Sequence, residues 1–129
     1  ITFLAAPALA STMEPDFPSN LTGKPFLMPS DLSLVQSQLL QWLDRYNVLP
    51  NIVGEFDDSA LMKAFGQGGT GIFVVPTAIA EEVANQYGVI IIGETDEIRE
   101  QFYAITTERR LSNPALVAIN ETARDWLSN

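Results

Sequence analysis

The sequence predicts an α/β lobe of three layers, with helices covering both faces of a mostly parallel sheet. Residues 55–76 read as strand, acidic turn, short helix, glycine-rich break and buried strand, an order that joins parallel strands by a helical crossover. Apolar runs at 72–75 and 89–92 lack polar alternation, as expected for strands covered on both faces. Strand-helix-strand units follow one another along the chain, and right-handed crossovers place their helices on the two sides of the sheet.

Each element has its own signal. Residues 1–6 are extended, and Pro7 opens a short helix. Pro15, Pro18 and Gly23 then interrupt the chain too often for a long element. Residues 25–28 form a buried strand. Over 32–46, Leu32, Val35, Leu39, Trp42, Leu43 and Tyr46 recur every three or four positions, placing them on one face of a helix that Ser30 or Asp31 can cap. Residues 51–56 are a second strand, and 59–65 a helix with Leu61, Met62 and Phe65 inward. Residues 66–71 are a glycine-rich break. After the strand at 72–75, a helix starts near Pro76, carries Glu81 and Glu82 in its early turns, buries Ile79, Val83 and Tyr87, and stops at Gly88. Residues 98–107 read as one long extended segment, and Asn113-Pro114 opens a last helix with Leu116, Ile119, Ala123, Trp126 and Leu127 as its stripe.

At 129 residues, 47% of them hydrophobic, the chain is long enough for one domain with its own core. Sixteen acidic against seven basic residues give a net charge of -9, which repels nucleic-acid phosphates, so this piece is not expected to bind DNA. With no cysteine there is no disulfide or thiolate chemistry, and with no histidine the commonest general base and transition-metal ligand is missing. Neither an enzyme nor a cofactor site is expected, and only carboxylate and carbonyl oxygens remain for metals. No apolar run approaches the roughly 20 residues of a membrane helix. The apolar start ends in Ala8-Leu9-Ala10, like a secretory cleavage site. Without an initiator methionine or a basic leader it reads instead as an internal strand and helix, with residue 1 inside a longer protein.

At the carboxyl ends of the strands lie Pro29-Ser30-Asp31, Asp57-Asp58-Ser59, Pro76-Thr77 and Glu94-Thr95-Asp96. They should share the rim where open α/β sheets bind ligands, offering hydroxyls, helix N-terminal amides and carboxylates to something small and polar. Capping of the following helices, worth about 1 kcal/mol each, accounts for the same residue types. Carboxylates at helix starts argue against an anionic ligand, and a hard cation such as sodium at Asp57 and Asp58 fits better, although no calcium loop is present. Ser59 and Lys63 stand four apart, not the three of a Ser-x-x-Lys pair. Gly66, Gly68, Gly69 and Gly71 follow a helix and precede a strand, the reverse of a phosphate loop. Arg109-Arg110 reads as solvated or paired with carboxylates.

Taken together, Thr2-Phe3-Leu4-Ala5-Ala6-Pro7-Ala8-Leu9-Ala10, Phe17-Pro18, Pro25-Phe26-Leu27-Met28-Pro29, the run 55–71, Phe102-Tyr103-Ala104-Ile105 and Glu108-Arg109-Arg110-Leu111 resemble the effector-binding domain of LysR-type transcriptional regulators, closest to the branch that controls sodium/proton antiporter genes. The resemblance implies a lobe like that of type II periplasmic binding proteins. Residues 1–6 would be a crossing strand, 7–101 the second α/β lobe, and 102–129 the return strand and a C-terminal helix of the first lobe. It also implies a cytoplasmic activator in which a small effector or sodium ion sits between lobes, facing Met28, Ser30, Phe56, Asp57, Asp58, Pro76 and Thr77. DNA would be bound only through an N-terminal winged helix-turn-helix outside this sequence, and the effector domains would pair as dimers or tetramers, with the helix at 32–46 a candidate dimer face. The alternative is one lobe of an exported solute-binding receptor. A lobe of a two-domain enzyme is disfavoured by the missing histidine and cysteine.

Overall fold

The strand β1, Thr2–Ala5, lies between two later strands and is buried along its whole length. The structure, a computed structural model, describes residues 1–30 and 34–98. The expectations at Asp31, Leu32 and Arg109-Arg110, and the return strand and helix of 102–129, lie outside the described residues. After β1 come α1 (Pro7–Ala10), with proline in its first turn, then β2 (Pro25–Pro29), α2 (Leu34–Arg45) and β3 (Asn51–Phe56). These are followed by α3 (Ser59–Gln67), β4 (Phe73–Val75), a 3-10 turn at Thr77–Ile79, α4 (Ala80–Tyr87) and β5 (Ile90–Glu94).

The parallel arrangement expected of helical crossovers is found between β2 and β3, from Pro25 opposite Asn51 to Pro29 opposite Phe56, with the register shifting by one residue between Phe26 and Leu27. A parallel bridge between Phe26 and Ile72 carries β2 to the start of β4, with the Leu27 N–H donating to Ile72 O and the Ile72 N–H to Pro25 O, both at 2.8 Å. β1 departs from the expectation, since it runs antiparallel to both β4 and β5. The link from β1 to β2 is short α1 and turns, not a crossover helix, so the handedness rule does not bind it.

Alternation along the strands makes the three layers. Phe3, Phe26, Met28, Ile72 and Val74 point to one face and meet Val35, Leu39, Trp42 and Leu43 of α2. Leu4, Leu27, Phe73 and Val75 point to the other and meet Met62 of α3 with Ala80 and Val83 of α4. Phe3, Phe26 and Phe73 are almost wholly buried, each worth about 1.5–3 kcal/mol on the transfer scale.

Four expectations are corrected. Leu61 and Phe65 are 47% and 44% exposed, and Met62 and Gly66 take the inward face of α3. The reason is Gly66, where an added Cβ would collide with the ring of Phe73, so α3 turns its bare backbone to the sheet and its larger side chains outward. α3 runs through Gln67, past the start of the expected break. Tyr46 follows the last residue of α2 and is exposed. Ile90 and Ile91 are exposed, so β5, which pairs only with β1 among the described residues, is not covered on both faces there. Gly88 ends α4 as expected, in the left-handed conformation at φ 66° and ψ 36°.

Candidate functional site

The carboxyl ends of β2, β3, β4 and β5 share one edge of the sheet with the start of β1. The Ser30 N–H donates to Phe56 O at 2.8 Å, extending the β2–β3 ladder one step beyond Pro29. On the other side, Thr2 stands opposite Val75 and Glu94. The bridge between Phe26 and Ile72 sets β2 and β4 level, so Pro29 and Val75 end side by side. Ser30, Asp57, Pro76, Thr77 and Thr95 thus follow strand ends along a single rim.

Within the rim the expected residues have different surroundings. Asp58 is the N-cap of α3, its Oδ1 accepting the N–H of Ala60 at 2.9 Å and of Leu61 at 3.3 Å, so the capping reading holds there. Asp57 beside it is exposed and Ser30 half-buried. Thr77 is exposed, and its hydroxyl accepts from that of Thr2 at 2.9 Å, while Pro76 before it is half-buried. Phe56 is half-buried, its ring 5.3 Å from that of Phe65. Met28 is the correction: it is 1% exposed and packs against α2, because alternation along β2 turns its side chain into the core. No group of acidic, histidine or cysteine side chains arranged to hold a metal occurs among the described residues.

The sequence reading missed three residues. Thr2 is fully buried and brings a hydroxyl to the rim from the first strand. Gln36 of α2 donates to Pro29 O at 3.0 Å and reaches Glu55 at 3.4 Å, bracing the end of β2. Glu97, just past β5, accepts from the Tyr46 hydroxyl at 2.7 Å, the Trp42 indole N–H at 2.9 Å and Arg45 at 3.2 Å. The bonds from Tyr46 and Trp42, with the Arg45 charge, hold the Glu97 carboxyl below its ordinary range, and the same bond pushes the Tyr46 phenol up. Polar residues at strand ends were a signal for Thr2. Glu97 and its partners, some fifty positions apart, gave none.

The family model of the LysR substrate binding domain matches residues 1–128. The chain belongs to that family. It is 38% identical over 109 residues, 84% of its length, to the transcriptional activator protein NhaR of Escherichia coli K12, and equally to that of Shigella flexneri. It spans 36% of the length of these relatives. Among solved structures, the effector binding domain of QuiR in complex with shikimate is similar at a TM-score of 0.57 and 16% identity, covering 78% of this chain and 47% of that one. The regulatory domain of HypT from Salmonella typhimurium, in its apo form, is similar at 0.54 and 22%, covering 74% and 46%. The fold is thus that of LysR effector-binding domains, which are like periplasmic binding proteins. The relatives it matches are transcriptional activators, not enzymes.

Proposed function

We propose that this chain is the second lobe, with its crossing strands, of the effector-sensing domain of a LysR-type activator that controls sodium/proton antiporter or sodium and alkaline stress genes. The observation that supports it is the 38% identity to the activator NhaR across 84% of the chain. In this reading residues 1–6 and 102–107 cross between lobes, 7–101 form the lobe, and the final helix packs in the first lobe.

A small effector or a sodium ion then sits against the rim of Ser30, Phe56, Asp57, Pro76 and Thr77, with Asp58 holding α3 in place. The ligand shifts the angle between lobes through its different affinity for two arrangements, and so the spacing of the DNA-binding heads. The net charge of -9 keeps DNA contact in the N-terminal domain of a cytoplasmic protein. Exposed Leu34, Leu40, Leu49, Ile52 and Val53 on α2, β3 and the turn between them support pairing of effector domains through that side.

The test is Asp57→Asn in the intact regulator, with reporter transcription titrated against sodium chloride and against potassium chloride at equal ionic strength. A sodium-specific response that Asp57→Asn weakens is the expected result. Identical responses to both salts remove sodium as the ligand.

A further inference from the structure

Trp42 is 3% exposed and touches both β1, which on the reading just given is one of the crossing strands, and Glu97, which follows β5. Its ring stacks on Phe3 of β1, centroids 5.4 Å apart and planes 27° from parallel. Its indole N–H donates to Glu97 Oε1 at 2.9 Å, three residues past the end of β5. Ahead of Glu97 the chain is tied to the start of β1, the Thr95 N–H donating to Ile1 O at 2.9 Å, and the Glu97 N–H bonds back to the Thr95 hydroxyl at 3.1 Å.

The contacts are not equal in weight. Arg45 and Glu97 are 56% and 40% exposed at their side chains, and such a pair contributes little. The indole N–H belongs to a buried ring, so an opening that takes Glu97 away strands a buried donor. Phe17 closes the ring cluster, 5.3 Å from Phe3 and 6.0 Å from Trp42.

We propose that Trp42 couples α2 to β1 and to the segment 95–97 that follows β5, so that a change in how β1 leaves the lobe is transmitted to α2 and the exposed apolar side it shares with β3. Trp42 and Glu97 are positioning residues in this scheme and touch no effector. The coupling rests on the assignment of residues 1–6 as a crossing strand.

Amide exchange on the 129-residue chain tests it, using Trp42→Phe, which keeps a ring on Phe3 but loses the N–H, together with Glu97→Ala and the double variant. Each single variant is expected to raise exchange about tenfold at 2–5, 42–45 and 95–98 together, the loss of roughly one buried hydrogen bond. The double variant should add little to either, and Glu97→Gln, which retains an acceptor oxygen, should stay near wild type. A rise confined to 95–98, or additive effects in the double variant, overturns the coupling. In the intact protein Trp42→Phe should bind promoter DNA as tightly as wild type yet change reporter output at least about fivefold, the lower end of ordinary coupling energies. Unchanged output overturns the transmission to α2. Failure of the wild-type protein to bind DNA counts against the regulator reading alone, since the exchange data decide the coupling without it.

Discussion

The Thr2 hydroxyl, fully buried at the start of β1, donates to the Thr77 hydroxyl at 2.9 Å across the rim. It is a polar link between the first strand and the turn that leads into α4. Thr77→Val leaves the buried donor without its partner and is expected to cost about 1 kcal/mol, while Thr2→Val with Thr77→Val together should cost less than the sum. Urea unfolding of the three variants checks this, and strictly additive losses would show that the pair does not act as one.

Gly66→Ala should destabilise the chain by about 1–3 kcal/mol. Alanine ordinarily gains about 1 kcal/mol over glycine inside a helix, but here the new methyl would overlap the Phe73 ring. The sign of the change in urea midpoint decides between the two effects, and a stabilised variant would refute the packing argument.

Asp58→Ala removes the cap of α3 and should cost about 1 kcal/mol, whereas Asp58→Asn keeps an accepting oxygen and should cost only a fraction of that. Thermal melts followed by circular dichroism distinguish them. Equal losses for both would mean that the carboxylate charge, not the cap, matters.

The Glu97 group predicts a pH response. Its carboxyl titrates below the ordinary 4.5 because Tyr46, Trp42 and Arg45 bond its charged form, so its stabilising effect is present above 4.5 and fades as pH falls through the lowered value. Tyr46 titrates above the ordinary 10.0, so its share is full below 10.0 and fades as pH rises through the raised value. Urea midpoints at about pH 3 and about pH 6 should differ less in Glu97→Gln than in wild type. An identical pH slope in the two proteins would remove Glu97 as a source of the acid response.

Most of the lobe was legible because its signals are local. The proline that opens α1, the glycine after α4 and the apolar stripe of α2 each act within a few residues, and β3 falls at 51–56 as expected. What escaped depended on contacts between distant residues. The inward face of α3 is set by Phe73 pressing on Gly66, which the periodicity of Leu61, Met62 and Phe65 does not contain. The direction of β1 is set by pairing with strands some seventy and ninety positions later, and the exposure of Ile90 and Ile91 by the place of β5 in the sheet. At the rim, composition identified the strand-end hydroxyls and carboxylates. It could not tell that Met28 turns inward, nor that Thr2 arrives from an opposing strand.

β1 is the shared wall of both cores, with Phe3 on one side and Leu4 on the other. A strand gripped from two sides cannot flex without opening both. Thr2–Ala5 therefore moves only together with the helices on both of its sides, and a push on the Thr2 end of the strand is felt by both cores at once.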